Sequence, residues 1–579
     1  MQDASGSTTY GYDTLGRVDH VTQPANKTIT YSYDPLGSRS VMADPDGGPA
    51  RRRALLPAGG RTTYSYDAAN RLTSLLNPFN ERTTWVYDAL SRASTLTLAN
   101  GAVTTYAYDA AGRLTLLRNT KSDGTTISSF EYGNDSVGNR TGVLEANGDR
   151  VTWSYDALYQ LTRERRSGAN AYDITYSYDP VGNRVTKVAS GVSTTYSYDA
   201  ANELTIENAA GTVTTYSYDA NGNTTVKNAA GSLTTYTWEG ENRLSKIESG
   251  DGVLTMTYDA DGLRRKKQDS SATAKFIWDG QKVLLETDAQ DATVAAYALS
   301  DDVYGDLLSQ RRSGASSFYH FDALGSTDRL TNAAGTVTDS YTYYAFGQDR
   351  ASSGTSTNPY RYVGRLGYYR NGTDLLYLRA RYYRAANGRF ASRDPLPSPG
   401  VNRYLYVHNA PLAWCDPSGR LLFSEWFCSD CDKHKDDLGW LKYKWCRFWC
   451  MPDPPPGGYE PPGPEPITPV LPIEWPTSPP GGPIFPECVD AEGYCFGRNI
   501  NCTGCNFILM SYCASWAVIG TQIWIEDCRA CHTVCEGYCT AYATAPEAWS
   551  TFLMYQCWQR CMPRIMPRLP SPGPPPVIW

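Results

Sequence analysis

An aromatic residue followed by an acid recurs at twelve places between Tyr12-Asp13 and Trp278-Asp279, and from Tyr178 to Trp278 the step is twenty residues each time. Self-similarity at this period constrains the fold strongly, because each unit must be one supersecondary element packed on its neighbours. In the unit from Gly211 to Ala230, Thr212, Thr214, Tyr216 and Tyr218 alternate with Val213, Thr215 and Ser217, the two-residue period of a strand. Asp219-Ala220-Asn221-Gly222 then reads as a turn, and Asn223 to Lys227 as the returning strand. Each unit is therefore expected to be a hairpin that cannot bury a face alone, and about a dozen of them a continuous, curling sheet. Tyr at every second position is expected to pack across strands and Asp to open turns. The alternative is an aromatic surface that stacks on sugar rings.

Composition agrees with a β-rich array: 43 Tyr and 50 Gly among 579 residues. A net charge of −7 gives no basic footprint, so nucleic acid is not the expected partner. All 16 cysteines lie at or beyond Cys415, which points to a disulfide framework formed in an oxidising compartment after export. The first residues, MQDASGSTTYGYD, start inside a repeat and lack the basic and apolar regions of a signal peptide, so a missing leader or a longer parent chain is expected.

Over residues 8 to 300 the pattern resembles the YD (RHS) repeat, although Tyr132 is followed by Gly133-Asn134 and Asp34 to Gly60 holds a longer insertion. From Ser316 the sequence is similar to the RHS-associated core domain: His320, Asp322, Leu324, Gly325 and Ser326 match one motif, and LLYLRARYYRAANGRF, SRDPL and DPSG match others in order. The resemblance implies a mainly β fold in which YD hairpins wind as a spiral, a partial shell or cage, with the core domain closing one end. It also implies a secreted or cell-surface bacterial protein of the polymorphic-toxin or wall-associated type, whose C-terminal extension is cargo. A secretion apparatus, an immunity protein or a cell-surface carbohydrate are the partners expected. No cofactor is expected.

The same resemblance implies self-cleavage just beyond the last DPxG motif by acidic residues acting as in aspartyl proteases. The candidates are Asp394 and Asp416, with Arg393 and Arg389 as orienting groups and a cut between Gly419 and Phe423, across Gly419, Arg420, Leu421 and Leu422. Such chemistry needs two carboxyls close enough to share one proton, so that one activates water while the other protonates. Arg420 stands where the family commonly has Leu. Isolated histidines such as His320 and His408 are expected to pack rather than catalyse.

The expected divisions are a repeat array over 1–315, the core domain over 316–420, a Cys-rich segment over 421–450, a Pro-rich linker over 451–487 and a Cys-rich C-terminal domain over 488–579. Cys428, Cys431, His434, Cys446 and Cys450 have zinc-ligand spacing, but two disulfides fit equally and suit an oxidising compartment better. Fifteen prolines make 451–487 a spacer. Cys535-x3-Cys539 and Cys557-x3-Cys561 place paired thiols one helical turn apart, as in a disulfide-stapled α-hairpin. The stretch from Phe507 to Ile525 is nineteen residues without a charge, which makes membrane insertion an alternative to a buried helix. The tail carries no recognisable enzyme signature. Adhesion without cleavage and membrane disruption by the tail are the rival functions.

Overall fold

A computed structural model describes residues 2–3, 6–45, 60–168, 170–372, 374–395 and 402–420. Among them there is no α-helix; the helical pieces are the 3-10 turns Pro24–Asn26, Gly364–Leu366 and Val407–Asn409. From Thr9–Tyr12 to Asp349–Ser353, thirty-two strands follow one another in a single antiparallel sheet. Each strand pairs with its chain neighbours. The first pairs with Val18–Gln23 and the last with Val337–Tyr343, and no ladder joins the two ends, so the sheet is open. The ladder crosses position 315 without a break, inside the hairpin of Leu307–Arg312 and Ala315–Phe321.

The repeat explains itself in the hairpin of Thr212–Tyr218 and Thr224–Ala229. Tyr216 is buried on the inner face, while the Tyr218 hydroxyl donates to the Leu204 carbonyl of the preceding hairpin at 3.1 Å. Tyr33, Tyr87, Tyr155 and Tyr258 do the same for Val18, Leu72, Arg140 and Leu244. Where Trp replaces Tyr, its indole N–H takes over, Trp238 to Thr224 O at 2.7 Å and Trp278 to Arg264 O at 3.0 Å. Asp219 Oδ1 accepts from the backbone N–H of Asn221 and Asn223 and so closes the turn. In other units an arginine four residues after the Asp does further work: Arg17 pairs with Asp13 at 2.7 Å and lays its guanidinium over the ring of Tyr33, 4.5 Å from the centroid. Tyr, Asp and Arg thus each join one hairpin to itself or to the next.

The curl comes from bulges. The register shifts immediately before the repeat aromatic at Ser32/Tyr33, Ser177/Tyr178, Ser197/Tyr198, Ser217/Tyr218 and Thr237/Trp238, among others. A bulge bends and twists its strand, so one per hairpin accumulates into a winding. The sheet therefore meets itself. Tyr31 reaches Asp279 at 2.9 Å across 248 residues of chain, Tyr66 reaches Asp301 at 2.5 Å across 235, and Glu164 accepts from the Ala345 N–H at 3.0 Å across 181. The shrinking separation describes a spiral that tightens toward its C-terminal side. At the Asp279 seam burial opposes ionisation, but Arg39 and Lys282 outweigh it and hold the carboxylate below its ordinary range.

Beyond the spiral, a four-stranded antiparallel sheet of Tyr369–Arg370, Leu375–Leu378, Arg381–Arg384 and Arg389–Phe390 lies against the inner face of the later repeats. Tyr369, Leu375, Tyr377 and Tyr382 share one core with Tyr236, Tyr258, Phe276 and Trp278. Its other face packs on Tyr362, Tyr368 and Tyr406.

Candidate active site

Every residue of Arg381–Arg384 is buried, two arginines included, because the strand is covered on both faces. A buried guanidinium needs anions, and Arg381 has two. Its Nη2 lies 2.8 Å from Asp394 Oδ2 and 3.2 Å from Asp416 Oδ2, so the carboxylates proposed from the sequence meet on a single nitrogen. Burial pushes the Arg381 guanidinium below its ordinary range, and the two aspartates offset only part of this. The Phe390 ring closes one side of the guanidinium, 3.5 Å from centroid to Cζ.

The same arginine also donates from Nε to the Gly419 carbonyl, and from Nη1 to the Arg403 carbonyl at 3.1 Å. On the other side of the Gly419–Arg420 peptide, the Arg420 N–H donates to Asp416 Oδ1 at 3.1 Å and to Ser418 Oγ at 3.0 Å. Turn closure accounts for Oδ1 of Asp416. It does not account for Oδ2, which faces Arg381 and through it Asp394. Asp416 is the more enclosed partner, with a side chain 3% exposed against 18% for Asp394.

Arg393 and Arg389, the orienting groups expected from the sequence, are engaged elsewhere. Arg393 pairs with Glu203 at 2.7 Å and donates to the Tyr404 hydroxyl, and Arg389 binds Asn183 and the Asn202 carbonyl. The spanning group is Arg381, which no sequence motif singled out. His320 is buried, with Nε2 2.9 Å from Thr331 Oγ1, and burial, assisted by Arg329, pushes it down to about 4. His408 sits in the turn Val407–Asn409 with its side chain exposed. Leu421, Leu422, the cysteines from Cys428 to Cys561 with His434, the proline linker and the stretch from Phe507 to Ile525 lie outside the described residues.

A cavity of about 420 Å³ is lined by Tyr132, Trp153, Asp322, Asp328, Tyr343 and neighbours, apart from the paired aspartates. Burial pushes Asp322 and Asp328 up to about 6 each. Between the unfolded and folded values, the folded chain holds protons that the unfolded chain has released. Stability from these groups is therefore present at acid pH and is lost as pH rises through about 4 to 6. Urea unfolding at pH of about 4.5 and about 7.5 will show a smaller difference in the chain's favour at acid pH for Asp328→Asn than for the unaltered chain.

The RHS repeat family model matches residues 52–82, 87–126, 178–213, 203–233 and 218–254. The tRNA3(Ser)-specific nuclease WapA of Bacillus spizizenii is 38% identical over 144 residues, 24% of this chain and 6% of that protein. Double-stranded DNA deaminase toxin A of Burkholderia cenocepacia is 31% identical over 141 residues, 22% of this chain and 10% of that protein, and toxin protein Tse5 of Pseudomonas aeruginosa is 34% identical over 112 residues, 18% and 8%. The match thus spans a small part of these relatives' own length. Among solved structures, the Photorhabdus luminescens Tc holotoxin pore aligns over 73% of this chain and 27% of its own, at 16% identity and a TM-score of 0.46. With its hairpins latched at a twenty-residue period and five stretches matched by the family model, the chain carries RHS repeats.

Proposed function

We propose that this RHS-repeat shell protein cuts its own chain just past Asp416 and frees the C-terminal extension as cargo, as part of an exported, toxin-type protein. The carrying observation is that Arg381 joins Asp394, Asp416 and the Gly419 carbonyl in one buried cluster. Two ionised carboxylates and one guanidinium leave a net negative charge there, and one proton shared by the aspartates neutralises it. The more exposed Asp394 takes a proton from water as the water oxygen bonds to the Gly419 carbonyl carbon. Arg381 Nε faces the oxygen that gains negative charge. Asp416, protonated and beside the Arg420 nitrogen, donates its proton as the C–N bond breaks. The products are a Gly419 carboxylic acid and an Arg420 amine, which become carboxylate and ammonium by passing one proton between them, and the shared proton has passed from one aspartate to the other.

Relatives named as toxins support cargo in the tail, and with it an export apparatus and a neutralising immunity partner. The deaminase activity named for one of them, and the tRNA nuclease activity named for WapA, belong to those proteins. N-terminal sequencing of the released tail tests the assignment: the expected first residue is Arg420, and a start upstream of Asp416 or beyond Phe423 contradicts it.

A further inference from the structure

The two aspartates are docked on different parts of the spiral. Beside Asp394, Arg393 binds Glu203, the Tyr404 hydroxyl donates to the Gly222 carbonyl at 2.7 Å, and the Thr224 N–H donates to the Ala391 carbonyl at 2.9 Å. A Cβ on Gly222 would meet Arg393 Nε at 2.3 Å, so this approach is close. The segment is thereby fixed to the earlier hairpins around residues 203–224.

Asp416 hangs from the later ones. Arg379 donates to the Pro417 carbonyl, to the Leu366 carbonyl at 3.1 Å and to the Gln281 carbonyl at 2.8 Å, and its guanidinium lies over Tyr304, 4.7 Å from the ring centroid. The Asp416 N–H donates to the Tyr368 hydroxyl at 2.6 Å. Arg379 holds a left-handed backbone, φ 57°, uncommon for a side-chain-bearing residue, which is consistent with a position fixed by its surroundings. It is 6% exposed.

We infer that Arg379 and Glu203 are positioning residues that make self-cleavage conditional on the wound sheet: Asp394 and Asp416 reach Arg381 only when the hairpins around Glu203 and those around Gln281 are both in place. The inference rests on the self-cleavage reading and adds its timing. Cargo is then released from a completed shell and not from a partly folded one. A displacement of about 1 Å in a catalytic group costs up to about a hundredfold in rate, so loss of either anchor need not unfold the chain to be felt.

The experiment follows the appearance of cut product after uncut full-length chain, recovered unfolded in urea from inclusion bodies, is diluted into buffer. Glu203→Gln and Arg379→Met are expected to slow the cut at least about tenfold while the melting temperature of the refolded chain stays close to that of the parent, with Arg379→Lys recovering part of the rate. Asp279→Asn, at the winding seam, touches neither aspartate; it is expected to slow the cut as well, and a stabilising osmolyte is expected to restore it. If Asp416→Asn blocks the cut but Glu203→Gln, Arg379→Met and Asp279→Asn cut at the parental rate, the coupling is wrong and the self-cleavage reading stands. Loss of rate only in proportion to loss of melting temperature would reduce these residues to a structural role. Cutting by Asp416→Asn at the parental rate would overturn both.

Discussion

Replacing Arg381 by alanine will leave the chain uncut and lower its unfolding free energy by about 3–5 kcal/mol, the size seen when one partner is removed from a buried ion pair. The loss is large because Arg381 serves two carboxylates and two carbonyls at once. Without it the charge shared by Asp394 and Asp416 is left uncompensated in an enclosed site, and the Gly419 carbonyl loses a donor. Lysine keeps the charge but cannot span these partners with a planar fork, so Arg381→Lys is expected to recover stability more than cutting. Urea unfolding and a denaturing gel, run on both variants, separate the two effects.

Gly419→Ala will also stop the cut, by at least about a hundredfold, through geometry and not charge. Gly419 has φ +71°, and a Cβ there would lie 2.2 Å from the Leu378 carbonyl oxygen and 2.8 Å from the Arg381 nitrogen, both backbone atoms. Neither can move without disturbing the hairpin of Leu375–Leu378 and Arg381–Arg384. The added methyl therefore displaces the Gly419–Arg420 peptide from between Arg381 and Asp416. Cutting measured at several temperatures will show the defect persisting where the fold is intact. A Gly419→Ala chain that cuts normally would mean that the reacting peptide lies elsewhere.

The hairpin array was legible because a period of twenty carries its own evidence, and Tyr218 and Asp219 behave as strand and turn residues must. The spiral's return on itself was not, since contacts such as Tyr31 to Asp279 join positions 248 residues apart and depend on curvature that accumulates from many bulges. Asp394 and Asp416 stood out through their motifs. Arg381 did not, because the stretch from Leu375 to Asp394 contains Arg379, Arg381, Arg384, Arg389 and Arg393, and spacing does not say which one turns toward the acids. One signal was present: Arg381 sits among apolar and aromatic residues in a strand covered on both faces, where a cation must find a carboxylate. The neighbouring arginines are engaged elsewhere, Arg389 on Asn183, Arg393 on Glu203 and Arg384 on Asp374 and Tyr236.

The most direct test is the intact mass of the full-length chain beside its Asp394→Asn and Asp416→Asn variants, all expressed and purified alike. The unaltered chain is expected to resolve into two fragments that meet at Gly419–Arg420, and both variants to stay whole at 63.9 kDa. An unaltered chain that remains whole, or variants that split at the same bond, would contradict self-cleavage by the paired aspartates.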